Sequence, residues 1–592
     1  MKFITGLLFE NAIPHLDINK NDSTNDEENR NAIHEKILND KKFHSFFLKG
    51  DAYDIANYLN GRYIVIKRER QSLAIKNIFD ENEKDEIKKE LNELPFIKRL
   101  SKVSQLGLKG YWKNATEENN RWEHSKEVAE NALSLYDKLH EKRKMEKKES
   151  ERVLVYLSGL LHDCGHLPFS HLLEDVFFEL SWKLGDNDDS FKHNHYTSYL
   201  ISKIFAEEKS IKKTKKCIDK YRVSVEDILK VINGNYGIGY IDALINSEID
   251  CDKISYLCKD SKHVNMQLLV NNAGEFIEKF VENAYITEEK LIALDSESAL
   301  IAFRLLDERK RFYNELYFSN DLRYLESVVK YILITYFVQK YNELDADKYK
   351  KYGNDNYTDL SHCRIMMAIE DLFEIIDNDD SDIDDKTITM EKSLSKQALK
   401  TLRRCMKISL EIFDNEEENE KLGEIKILEF LYKRLTGKNY VFDNHERNMD
   451  LSPYVDSEIE ILSRQLNYKQ LQKIRKRIHL NFPGVLLIDV IKSVNYLSTA
   501  DSRKRKQRLD GTYENQVIYL VPPEERSTWH NKESIANTDI TEYVEKNDTV
   551  DHRCKFNVYR LDDDDTLIEF AINMLKKEMK YHIDNKNGGN NE

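Results

Sequence analysis

Chain breakers are scarce in this sequence of 592 residues, which has 19 glycines and 7 prolines. So few of them exclude a collagen-like or loop-dominated chain, and the abundance of Leu, Ile, Lys and Glu predicts a mainly α-helical protein. Cysteine is also sparse. Its seven copies, at positions 164, 217, 251, 258, 363, 405 and 554, never fall at CxxC spacing. That excludes a zinc ribbon or a disulfide framework and points to a reducing, cytoplasmic setting. No apolar run reaches the 18 or so residues of a membrane span. The apolar opening that ends in Leu7-Leu8-Phe9 is cut by Glu10 and is too short for an export signal. Positive charge falls short as well: 91 Lys and Arg face 106 Asp and Glu, for a net −15. A surface built to coat nucleic acid is therefore excluded, although a local basic pocket for a small polyanion is not.

What remains is a 40% hydrophobic chain, long enough for two to four packed units. The expected division is an N-terminal segment (1–93), a helical core (94–375), a helical segment after an acidic linker (376–475) and a smaller C-terminal α+β unit (476–592). The polar run 19–29 reads as a loop and Tyr63-Ile64-Val65-Ile66 as a strand. Helical spacing begins at Asp80–Glu93. From Arg121, the residues Val128, Ala129, Ala132, Leu133, Leu135, Tyr136 and Leu139 trace one apolar face. Asp252, Tyr256 and Asp260 share a face at i, i+4 and i+8, and Arg309, Tyr313 and Tyr317 repeat that spacing. Residues 377–385 lack the Gly and Glu of a calcium loop and read as a linker. Strand-like runs at 484–491, 517–521 and 556–559 precede a final helix from about Asp565 to Met579.

The densest chemistry lies at the end of the apolar run Val153–Leu161. There, Leu161-His162-Asp163-Cys164-Gly165-His166-Leu167-Pro168-Phe169-Ser170-His171 packs three histidines and an aspartate into eleven residues. Such a pair at a helix end is either a capping feature or half of a metal site. His124 and Asp252, each ordinary when taken alone, would complete the site. Together they give the order H…HD…D.

That order, with its flanks, resembles the HD-domain dNTP triphosphohydrolase family, and most closely its SAM-and-HD-domain branch. The resemblance runs through Gln105-Leu106-Gly107, Arg121-Trp122-Glu123-His124-Ser125, His162-Asp163-x-Gly165-His166-x-Pro168-Phe169-Ser170-His171-x-x-Glu174, His193-x-x-x-Thr197, Asp252-Lys253-x-x-Tyr256-x-x-Lys259-Asp260 and Arg309-x-x-x-Tyr313-x-x-x-Tyr317. It covers about residues 94 to 320. No SAM domain is apparent in the sequence.

The resemblance implies an all-helical HD core that hydrolyses a dNTP to deoxynucleoside and inorganic triphosphate. It implies a divalent metal (Mg, Mn, Fe or Zn) on His124, His162, Asp163 and Asp252. His166, Glu174 and His193 would be the catalytic acid–base groups. His171, Arg121, Lys253 and Arg309 would meet the phosphates, with Tyr256 and Tyr313 beside them. Gln105 and Asp260 would bond the sugar 3′-hydroxyl, while Leu106 and Tyr317 would fill the space of a ribose 2′-hydroxyl. Family members commonly form tetramers or hexamers. Three departures stand out: Asn194 follows His193 where Glu is usual, Lys259 replaces an Arg, and the stretch 93–101 lacks a Gln and an Arg of the branch's activator-binding run. Two other readings stay open: a phosphodiesterase or nuclease acting on an oligonucleotide or cyclic nucleotide, using the basic run Arg503–Arg508, and a nucleotide-sensing regulator without catalysis.

Overall fold

The computed structural model describes residues 79–109, 119–342, 423–436, 453–491, 555–560 and 564–588, with breaks at 143, 185–191, 208, 248, 264–267, 269–271, 283, 288–289, 295 and 483. It also describes 365, 368, 369, 372 and 375 and the segments 518–520 and 533–534. The polar loop at 19–29, the strand at 63–66, the linker at 377–385 and the basic run at 503–508 lie outside the described residues. The chain divides into two compact units, Met1–Ile78 and Phe79–Glu592, and every described residue belongs to the second.

Helix α1 (Glu81–Asn92) starts where the Asp80 carboxylate accepts the Glu83 amide at 3.0 Å, satisfying one free donor of the first turn. Helices α2 (Arg121–Lys142) and α3 (Glu149–Leu161) form the central pair. The predicted face of α2, Val128 through Leu139, is buried. α3 is buried on every side from Val153 to Leu161, as its continuous apolar run requires. The two helices cross at Gly159, where a Cβ would sit 2.8 Å from Ala129 Cα. Any larger residue there would push the helices apart.

Around this pair lie α4 (His171–Leu184), α5 (His193–Glu207), α6 (Lys212–Tyr221), α7 (Val225–Ile232), α8 (Gly239–Ile245), α9 (Cys251–His263) and α10 (Ala273–Glu282). The short hairpin β1 (Ala284–Ile286) and β2 (Ile292–Leu294), not anticipated from the sequence, follows these helices. Three-residue strands are too short to show period-2 alternation, which is why the sequence reading missed them. Next come α11 (Ser296–Phe312), a π-helical turn (Tyr313–Tyr317), α12 (Asn320–Asn342) and α13 (Gly423–Thr436). The side chains of Ile427, Leu428 and Leu431 join the same hydrophobic core as α2 and α3.

A second hydrophobic cluster gathers α14 (Ser457–Ser463), α15 (Tyr468–Asn481), β3 (Leu486–Ile491), β6 (Lys555–Arg560) and α16 (Asp565–Gly588). β3 and β6 pair antiparallel over six residues. Leu486, Ile488 and Val490 of β3 face this cluster, whereas Leu487 faces the helical core. The strand is thus buried on both sides, which explains its unbroken apolar sequence. The second strand-like run, 517–521, forms β4 (Ile518–Leu520), which pairs in parallel with β2 and antiparallel with β5 (Glu533–Ser534) rather than with β3. The fold is mainly α with two small sheets. Among the described residues no helix is long and apolar enough to cross a membrane.

Candidate active site

The site begins where α3 stops. His162 caps the helix, and its Nδ1–H donates to Gly159 O at 2.8 Å. That bond takes up Nδ1 and leaves Nε2, a buried atom without a hydrogen-bond partner among the described residues, facing the site. His124, fully buried on α2, places Nε2 2.9 Å from Asp252 Oδ1, and His162 Nε2 lies 3.7 Å from the same oxygen. The ligand atoms of His124, His162 and Asp252 all fall within 4.8 Å of one another and could hold a metal ion. The orphaned His162 nitrogen is the observation that favours an ion there, because burying such an atom unpaired is otherwise costly.

Asp163 is adjacent but already engaged. Its Oδ2 accepts Arg121 Nη1 at 2.6 Å, and its Oδ1 lies 3.3 Å from His162 Nε2 and 3.4 Å from His166 Nε2. The four predicted ligands therefore come together, three as a tight group and Asp163 as a carboxylate shared with Arg121. Burial pulls the His162 pKa down, but Asp163 and Asp252 outweigh it and raise it to about 9, so an ion bound there would displace the Nε2 proton. Burial would raise Asp163 and Asp252, yet neighbouring imidazoles, with Arg121 at Asp163, hold both well below the usual carboxylate range.

The loop after Asp163 is clamped from three sides. Arg99, 2% exposed, donates Nη2 to Cys164 O at 2.7 Å and Nη1 to His166 O. Thr197 Oγ1 accepts the Gly165 amide at 3.0 Å. A Cβ at Gly165 would collide with His193 O and Thr197 N, so only glycine lets α5 approach. Beyond it, Phe169 and Ser170 take left-handed backbone conformations, φ +61° and +50°. The Phe169 amide donates to Glu424 Oε1 at 3.2 Å. Glu424 and the Arg99 clamp carried no sequence signal, because both act on backbone groups at unrelated sequence distances.

The predicted acid–base groups meet beside the metal candidates. His193 Nδ1 lies 2.5 Å from Glu174 Oε1, and His171 Nδ1 lies 3.2 Å from the same oxygen. His166 stacks on His193 with ring centroids 4.1 Å apart. Burial would raise the Glu174 pKa, but bonds from His171 and His193 keep it well below the ordinary value. Burial, reinforced by Arg121 and the neighbouring imidazoles, drives His166 well below its ordinary value, so its ring is neutral.

On the other flank Tyr317 donates to Asp260 Oδ2 at 2.7 Å, and Arg309 Nε donates to the Tyr256 hydroxyl at 2.9 Å while its guanidinium lies over the Tyr313 ring. Burial raises the Asp260 pKa to about 6, against the opposing pull of Tyr317, His124 and Arg121. Gln105 Oε1 and Asp260 Oδ1 are buried without hydrogen-bond partners among the described residues. Leu106 is buried in the helical core. Two placements differ from the sequence reading. The residues Tyr313 and Tyr317 lie in a π turn rather than on one regular helical face, although their rings still meet at 5.0 Å. Lys253 is 3% exposed, and its ammonium is bound by Asp250 Oδ2 at 2.5 Å and Ser247 O at 2.9 Å.

Residues 121–237, which hold the central helices and their His–Asp corner, match the family model described as HD domain. Among similar proteins, an HD domain-containing protein of Acanthamoeba polyphaga mimivirus is 28% identical over 30% of this chain and 36% of its own length. The uncharacterised YwfO of Bacillus subtilis is 26% identical over 40% of this chain and 49% of its own. Deoxynucleoside triphosphate triphosphohydrolase SAMHD1 of Mus musculus is 27% identical over 38% of this chain and 36% of its own. The matched stretches thus span less than half the length of these relatives.

Proposed function

We propose that this chain is a metal-dependent hydrolase that converts a dNTP to deoxynucleoside and inorganic triphosphate. The observation that carries the reading is the unpartnered His162 Nε2 facing His124 and Asp252, with the Glu174–His193 pair alongside. The similarity to a triphosphohydrolase of that name supports the choice of substrate. Imidazole nitrogen with carboxylate oxygen suits Fe, Mn or Zn, and Mg where waters complete its shell. Held by His124, His162 and Asp252, with Asp163 beside them, a divalent ion would supply positive charge against the α-phosphate oxygens.

The remaining chemistry belongs to the chain's own side chains. His166, kept neutral by burial, is placed to accept a hydrogen bond from the attacking water and orient it. Glu174 fixes the orientation of His193, whose ring then passes a proton to the departing 5′ oxygen. Arg121 and Arg309 present planar cations suited to phosphate oxygens. Lys253 would have to exchange Asp250 for phosphate, as Arg121 would Asp163, to take the same role. The unpartnered oxygens of Gln105 and Asp260 are acceptors for a sugar hydroxyl.

The test is product identification. The pure protein is incubated with Mg or Mn and, separately, the four dNTPs, the NTPs and a single-stranded oligonucleotide. Inorganic triphosphate and deoxynucleoside, from dNTPs alone, support the proposal. A shortened oligonucleotide, or binding without turnover, contradicts it.

A further inference from the structure

We propose that Glu424 is a positioning residue that sets the spacing between the sugar-facing loop and the phosphate-facing turn, and through it the preference for deoxyribose. The inference rests on the dNTP reading of the site. Glu424 stands in the first turn of α13 and is 0% exposed. Its Oε1 accepts two backbone amides, Ser104 N at 3.1 Å and Phe169 N at 3.2 Å, across 320 and 255 residues of chain. Ser104 immediately precedes Gln105 and Leu106. Phe169 opens the left-handed pair Phe169-Ser170 that leads into His171.

The two loops meet again one step further in. Arg121 Nη2 donates to Ser170 Oγ at 2.8 Å and to Gln105 O at 3.2 Å. The Gly107 backbone faces Phe169, and a Cβ at Gly107 would lie 3.7 Å from Phe169 C and O. One buried carboxylate thus joins both segments through their main chains. Two consecutive non-glycine residues with positive φ persist only where surrounding bonds hold them. Besides the Arg121 bridge, the Phe169 amide ties this turn to the loop at Ser104 through Glu424. Removing the carboxylate leaves two buried amides without an acceptor, and both loops relax together. The metal candidates come from α2, α3 and α9, so their grouping should survive.

The deciding experiment compares wild type, Glu424→Ala and Glu424→Gln in three readouts. These are kcat/KM for each dNTP and its matching NTP, Mn(II) affinity, and amide hydrogen exchange in peptides spanning Ser104 and Phe169. The expected result for Glu424→Ala is a drop of roughly tenfold or more in the dNTP-to-NTP ratio of kcat/KM, carried by KM for the dNTP. Exchange should be faster at both amides, while Mn(II) affinity is retained. Glu424→Gln, which keeps one acceptor oxygen, should recover most of the ratio. An equal loss on both substrates, or unchanged exchange at Ser104 and Phe169, overturns the proposal. Should Glu424→Ala fail to fold, Glu424→Asp, one methylene too short to reach both amides, carries the same readouts, and an unaltered ratio with unaltered exchange there also overturns it. Absence of wild-type dNTP turnover would refute the substrate reading instead, and the exchange data would still decide whether Glu424 holds the two loops.

Discussion

His162 and His479 are both buried imidazoles beside carboxylates, and they do opposite things. His479 uses both nitrogens: Nε2 accepts the Ile488 amide at 3.0 Å, so Nδ1–H donates to Glu179 Oε1 at 2.8 Å. His162 uses only Nδ1, and its Nε2 points at other ligand-type atoms with no hydrogen bond made. The carboxylates differ in the same way. Asp175 and Glu179 sit between Lys330, Arg475 and His479, with Arg475 fully buried. Asp260 has one bonded and one orphaned oxygen. Identical residue types thus build a closed network that fixes α4 against α12 and α15, and an open one that awaits ligands.

The comparison breaks most sharply at the metal candidates. Asp163→Ala and His162→Ala should abolish turnover and lower Mn(II) affinity while leaving the circular dichroism spectrum intact. Full activity in either variant would place the chemistry elsewhere. One step out, Glu174→Gln should slow kcat by about 10²–10⁴-fold without changing metal content, since it removes only the group that orients His193. Arg475→Met tests the closed network. It should cost about 3–5 kcal/mol in urea unfolding, because Asp175 and Glu179 would stay buried with fewer cations. The activity of the folded fraction should persist. A stable Arg475→Met protein with lost turnover would reverse the assignment of the two networks.

The smallest effect concerns pH. The Asp260 pKa is raised to about 6. Its contribution to stability is therefore fully present below about pH 4 and is lost as pH rises through 6. Asp260→Asn, which keeps an acceptor for Tyr317, should match wild type near pH 4. At pH 8 it should be more stable by about 3 kcal/mol. Denaturation midpoints at the two pH values check this, and a variant less stable at pH 8 would show that the Asp260 carboxylate is satisfied after all.

Much of the site was legible in the sequence because its side chains act by residue type. His124, His162, Asp163 and Asp252 are metal-ligand types in a recognisable order, and the structure brings them together. The helices α2 and α3 were legible through the spacing and the continuity of their apolar residues. The clamps were not. Arg99 and Glu424 bind main-chain groups far away in sequence, and no spacing rule registers such contacts. The Arg121–Asp163 and Lys253–Asp250 pairs were also hidden, since a cation suited to phosphate and one suited to a neighbouring carboxylate look alike in a sequence. The β1–β2 hairpin and the π turn were lost because three- and five-residue features fall below the length at which periodicity can be read.

In the proposed reaction water attacks the α-phosphate and the 5′ oxygen departs. Hydrolysis of a dNTP in ¹⁸O-labelled water tests it most directly. The account predicts inorganic triphosphate carrying one ¹⁸O, with unlabelled deoxynucleoside. Deoxynucleoside monophosphate with pyrophosphate, or label in the nucleoside, would contradict it.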